Sequence, residues 1–145
     1  MILLENVAGA GTSIGKSFEE LQAIIDLIDD KDRVGICFDT CHGFSAGYDL
    51  RNEEKVDQVF RELDQIIGFD KLKVIHANDS KREFDTNKDR HEHIGQGTIG
   101  EEGFAAMLNH PLIVEHDVPF ILETPEDENG NFETNIKKLR ELVRE

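Results

Sequence analysis

Four short apolar runs in this chain each end in a residue that binds metal. Glu5 follows Ile2-Leu3-Leu4, Asp39 follows Val34 to Phe38, His76 follows Leu72 to Ile75, and Glu123 follows Val118 to Leu122. Successive members lie about one strand-plus-helix unit apart. In a parallel β/α architecture, such strand ends converge on one face. Side chains alternate along a strand. Glu5, Asp39, His76 and Glu123 can therefore share the inner face while Leu4, Phe38, Ile75 and Leu122 turn toward helices. Three carboxylates and an imidazole in one small space repel unless a cation sits among them. Hard oxygen donors with imidazole suit Zn²⁺, Mn²⁺ or Fe²⁺.

A second candidate group is His42, Asp89 and His91. His42 lies three residues after Asp39, just past the second run, and Asp89 with His91 can reach one ion from an extended loop. Three protein ligands leave an open position, as a catalytic metal needs. Other residues of the same types are expected to do less. His93 reads as exposed or as support behind a ligand, and His110 and His116 as solvated. Cys37, inside a strand, and Cys41, in the turn after it, read as non-ligands because no second cysteine pair exists. Gly9-Ala10-Gly11 is followed by no lysine in phosphate-loop spacing, so it reads as a tight connection. Asn78-Asp79-Ser80-Lys81 either lines the same face or turns the chain.

The elements that must position these residues are legible between the runs. Ser17 with Glu20 has the form of a capping box. Phe18, Leu21, Ile24, Ile25 and Ile28 follow at helical spacing. Asn52, Glu53 and Glu54 open a second helix through Val56, Val59, Phe60, Leu63 and Ile67, with Gly68 as its stop. A shorter pattern, Phe104, Met107 and Leu108, follows Gly100. The last helix carries Ile136, Leu139, Leu142 and Val143 and runs nearly to Glu145. Strand then helix, four times over, predicts an α/β chain with parallel strands and crossover helices. No linker divides residues 1–145.

Composition bounds the partners. The 145 residues are 38% hydrophobic and 32% charged, enough for one folded domain. No apolar run approaches the ~18 residues of a membrane span, and no leader pattern opens the chain. With only Cys37 and Cys41, a reducing cytoplasm is the expected setting. The net charge of −15 argues against nucleic acid, although bound cations would offset part of it.

Read in order, Leu4-Glu5-Asn6, Phe38-Asp39-Thr40-Cys41-His42, His76-Ala77-Asn78-Asp79-Ser80, Asp89-Arg90-His91-Glu92-His93-Ile94-Gly95 and Leu122-Glu123-Thr124-Pro125 resemble the endonuclease IV family. These are metal-dependent apurinic/apyrimidinic endonucleases with a TIM-barrel fold, and the resemblance covers essentially the whole chain. It implies a centre of three zinc ions, with Mn²⁺ as a substitute. Glu5 would bridge two ions. Glu5, Asp39, His76 and Glu123 would hold one zinc, and His42, Asp89 and His91 another. Glu5 and Glu123 would be catalytic, and Arg90 would touch a DNA phosphate. The implied reaction is hydrolysis of the phosphodiester 5′ to an abasic site, with the metals generating the nucleophile and stabilising the leaving 3′ oxygen.

The family's remaining zinc is held by two histidines from the N-terminal half of the barrel. That half is absent from residues 1–145, which are expected to form a single C-terminal half of a (β/α)8 barrel. Such a chain is expected to bind zinc, to cut abasic DNA poorly and to associate with itself through its open sheet edges. Two other readings stand beside it. One is a sugar isomerase or epimerase of the xylose isomerase-like group, which the acidic charge suits. The other is a half domain that binds metal without catalysis.

Overall fold

A computed structural model describes residues 1–145. Four parallel strands form one sheet in the order β1 (Ile2–Glu5), β2 (Val34–Asp39), β3 (Leu72–His76) and β6 (Phe120–Ile121). Between them run α1 (Phe18–Asp26), α2 (Thr40–Ser45), α3 (Glu53–Ile66), α4 (Gly100–Leu108) and α5 (Pro111–Glu115), and α6 (Phe132–Leu142) follows the last strand. A separate antiparallel pair, β4 (Asp79–Ser80) with β5 (His91–Glu92), rises beyond the end of β3.

The alternation of the strands sorts their side chains as expected. Ile36, Phe38 and Ile75 are fully buried under the helices and pack with Phe18, Leu21, Phe60 and Leu63 in one core. On the opposite face, register places Glu5 beside Cys37, Asp39 beside His76, and His76 beside Ile121. The strand ends thus rise side by side, because parallel pairing in register levels them.

Helix termini follow the sequence signals with adjustments. The Ser17 side chain accepts from the Glu20 amide at 3.2 Å. The reciprocal half of the expected capping box does not form. The Glu20 carboxylate reaches past Ser17 to the Gly15 and Lys16 amides, at 2.6 and 3.0 Å. Helix α1 ends at Asp26, so Ile28 lies beyond it. Asn52 caps α3 as expected. Gly68 stops that helix at φ +99°, a conformation that costs a residue without Cβ little.

Three further differences matter. The expected strand Val118 to Leu122 shrinks to Phe120–Ile121, because it lies at the sheet edge and Pro119 has no amide to donate. Cys41 sits in helix α2 rather than in a turn, since Asp39 caps that helix directly off the strand. His110 is buried rather than solvated. It caps α5 through Nδ1, and its Nε2 lies 3.1 Å from Asp57 Oδ1. His116 is exposed, as expected.

Candidate metal centre

Asp39 is the hinge of the site. As the last residue of β2 and the cap of α2, it spends Oδ1 on the His42 amide at 2.9 Å. Its backbone is clamped by Asn6, whose side chain bonds the Asp39 amide and carbonyl at 2.7 and 3.1 Å. Oδ2 is left to face inward, and Asn78 donates to it at 2.9 Å. Burial pushes the Asp39 carboxyl above the usual carboxylate range, against the pull of His42, His91 and Asn78. A buried carboxylate of this kind calls for positive charge.

The first expected group assembles. His76 Nδ1 lies 3.0 Å from Glu5 Oε1 and 3.2 Å from Glu123 Oε2. One ligand atom from each of Glu5, Asp39, His76 and Glu123 falls within 4.8 Å of the others. Donors held at ~2 Å from one ion lie within about 4 Å of each other, so small side-chain shifts would complete a shell.

His42, Asp89 and His91 also meet, and Asp39 joins them. His42 Nε2 lies 3.0 Å from Asp89 Oδ2, and His91 Nε2 lies 3.0 Å from Asp89 Oδ1. Asp39 Oδ2 is 3.8 Å from His42 Nε2 and 3.7 Å from His91 Nε2. Asp39 thus stands between the two groups, rather than in the first alone. The backbone sets the tautomers. His42 Nδ1 donates to the Asn6 carbonyl at 2.8 Å, and His91 Nδ1 donates to the Glu123 carbonyl at 3.1 Å. A carbonyl only accepts, so both Nδ1 atoms carry a proton and each ring turns its Nε2 onto the carboxylates of Asp89 and Asp39. That is how metal-binding imidazoles are oriented. His91 Nε2 is buried without a hydrogen-bond partner, an orphan that an ion would satisfy. Burial by itself lowers the His42 imidazole, but Asp39, the Asn6 carbonyl and Asp89 outweigh it and hold the group above its ordinary value.

His91 reaches this position on β5 rather than on a loop, paired with Ser80 of β4. The hairpin is tied down by Asp79, whose buried carboxylate accepts from the amides of Ser80, Gly95, Gly97, Ile99 and Gly100 at 2.8 to 3.2 Å. Asn78, not Asp79, lines the site. It donates to Asp39 and accepts from the Glu123 amide at 3.0 Å, and so ties two strand ends together. Asn6 is a supporting residue to which sequence reasoning assigned no role, whereas Asn78 belongs to the segment expected either to line this face or to turn the chain. The one signal for Asn6 was its place immediately after Glu5.

His93 is buried, not exposed. Its Nε2 lies 2.9 Å from Asp127 Oδ1 and its Nδ1 2.9 Å from Asn135 Nδ2, so it braces the segment behind His91 and turns away from the centre. Cys37 and Cys41 lie beside the two groups, Cys37 near Glu5 and His76, Cys41 near Asp89 and His91. Burial pushes both thiols up to about 12. Arg90 is exposed at the rim, with its guanidinium on the Asp89 carbonyl at 2.6 Å.

A parallel β/α sheet whose strand ends gather carboxylates and imidazoles defines a class. The chain belongs to the xylose isomerase-like TIM barrel family, whose model matches residues 1–145. Within that class it is 58% identical over 124 residues to the probable endonuclease 4 of Halothermothrix orenii, covering 86% of this chain and 44% of that protein. Identity to the probable endonuclease 4 of Methanoculleus marisnigri is 52% over 143 residues, covering 99% of this chain and 50% of that protein. The crystal structure of endonuclease IV from Thermus thermophilus matches with a TM-score of 0.81 at 35% identity, covering 97% of this chain and 48% of that chain. The chain spans about half the length of the curated relatives it matches.

Proposed function

We propose that residues 1–145 form the C-terminal half-barrel of a zinc-dependent DNA repair endonuclease that hydrolyses the phosphodiester 5′ to an abasic site. The observation that carries this reading is the convergence of two imidazole Nε2 atoms on shared carboxylates. His42 and His91 are each pinned through Nδ1 and turned on Asp89 and the buried Asp39. Glu5, Asp39, His76 and Glu123 would hold one ion, and His42, Asp89 and His91 another, with Mn²⁺ as a substitute. Bound there, divalent zinc supplies positive charge against phosphate oxygens and makes water a stronger acid at neutral pH.

The chain's own residues do the rest. Glu5 lies 3.0 Å from His76 and 3.6 Å from His42, so it links the two groups. Glu123 is the more exposed strand-end carboxylate, at 46% against 36% for Glu5, and is the group that accepts a proton from the attacking water. Asn78 holds Glu123 and Asp39 in register. Arg90, at the rim, meets a phosphate of the DNA strand. The free, buried cysteines suit a cytoplasmic setting. No helix is long and apolar enough to cross a membrane.

Elemental analysis of the purified chain should find about two zinc ions per chain. Less than one removes the reading. An abasic-site oligonucleotide treated with the zinc-loaded chain should be cut at least about 100-fold more slowly than by a full-length relative, because a ligand set is incomplete. Equal rates would show that the other half of the relatives' length is dispensable. A second reading rests on the net charge of −15, which suits a small neutral sugar better than DNA. Isomerase or epimerase turnover with one Mn²⁺ or Mg²⁺ would favour it. Two bound ions with no turnover of either kind would mark a metal-binding half domain.

A further inference from the structure

We propose that Asp79 is a positioning residue for one metal group alone: an anion built into the chain, it places Asp89 and His91 against His42 and leaves the group of Glu5, Asp39, His76 and Glu123 to the main sheet. It rests on the proposed metal reading and names the side chain on which one ion depends and the other does not. Asp79 is fully buried and belongs to neither group. Its Oδ1 accepts from the Ser80 and Ile99 amides at 2.8 and 3.0 Å. Its Oδ2 accepts from the Gly95, Gly97 and Gly100 amides at 3.0, 3.1 and 3.2 Å.

Gly95, Gly97 and Gly100 stand at the G-x-G-x-x-G spacing with which a glycine-rich loop wraps a phosphate at a helix start. Here the loop is filled from within. A Cβ at Gly97 would run into the Ser80 carbonyl and the Asp79 carboxylate, so the main chain closes directly on that side chain. Helix α4 has no side-chain cap from Ile99, and Asp79 sets negative charge at its positive end instead. A neutral amide cannot take over this role. It has one oxygen, and its NH2 would face N–H donors.

The path from this carboxylate to the imidazole is short. Asp79 and Ser80 form β4, and Ser80 pairs with His91 of β5. The wrapped turn follows β5, and its Thr98 amide returns to the Ser80 carbonyl at 2.9 Å. The Lys81 amide donates to the carbonyl of Arg90, between Asp89 and His91, at 2.9 Å. The other group is held differently. Its four members end or follow strands of the main sheet. Asn78, the neighbour of Asp79, has its own anchor, since Thr40 Oγ1 donates to its carbonyl at 2.6 Å and accepts from its amide at 3.0 Å. A disturbance at Asp79 therefore runs into the hairpin and not into the sheet.

Zinc titration of the chain against a competing chelator, with the histidine imidazoles followed by NMR, tests the proposal. The parent chain should take up about two ions and move the signals of His42, His76 and His91. In Asp79→Gly, one ion should bind on the order of 100-fold more weakly, and the His42 and His91 signals should move only with that ion. The other should stay within about twofold and still move His76. Acetate supplies the CH2–COO⁻ volume and charge that the glycine lacks, so it should restore the lost ion, whereas chloride at equal ionic strength should not. Asp79→Asn, which leaves the space filled, should show the loss without the rescue. Unchanged binding in both variants, equal weakening of both ions, loss of the native circular dichroism spectrum in both variants, or a loss in Asp79→Gly that acetate does not repair would each overturn the proposal. A parent chain that takes up no zinc removes the metal reading and this proposal with it. Zinc in the parent with unaltered binding in the variants removes this proposal alone.

Discussion

Strands β2 and β6 lie two places apart in one sheet and meet opposite surroundings. All six residues of β2 are buried, flanked by β1 and β3 and roofed by helices. Strand β6 keeps two residues, pairs on one side, and leaves Ile121 exposed. The donors they deliver differ in the same way. Asp39 leaves β2 with its backbone clamped by Asn6 and both carboxylate oxygens engaged. Glu123 leaves β6 half-exposed, steadied by Asn78 through its amide. A strand with neighbours on both sides can hold a ligand rigidly. A strand paired on one side leaves its terminal side chain more room to move.

That contrast can be broken experimentally, and the expected effects descend from β2 to β6. Asp39→Asn should lower zinc affinity by at least about 100-fold at both groups, read by competition with a chromogenic chelator. Loss confined to one ion would mean that Asp39 does not stand between the groups. Phe38→Ala, beneath Asp39, should cost about 3–5 kcal/mol in urea unfolding, because a fully buried ring leaves a cavity. Asn78→Ala should weaken zinc by about 10- to 100-fold while the fold persists. Glu123→Gln should weaken zinc by no more than about tenfold, since the edge ligand is the least constrained. Last, Ile136→Ala should change the stability of the isolated chain by no more than about 0.5 kcal/mol, because the side chain is already half in water. A larger loss would place α6 in the core instead of on a rim.

Legibility in the sequence followed element length and distance. The four strand-end residues and the parallel order were readable because an apolar run with a polar terminus repeated at β/α spacing. The β4–β5 hairpin was not, since two-residue strands are too short to show a period. It decides where His91 lies. The buried state of His93 depends on Asp127 and Asn135, 34 and 42 positions away, and that of His110 on Asp57, 53 away. No local pattern carries such partnerships. Asp39 reads as a member of one group alone until the start of α2 immediately after it is seen, because that helix brings His42 back over the strand end.

Asp79 has a consequence for how an ion would arrive. One buried carboxyl gathers five main-chain amides and so suspends the whole turn from Gly95 to Gly100 behind the His91 strand. The turn behind the imidazoles is thus held by one buried side chain of the fold itself. An ion bound as proposed would therefore require little further ordering of the chain.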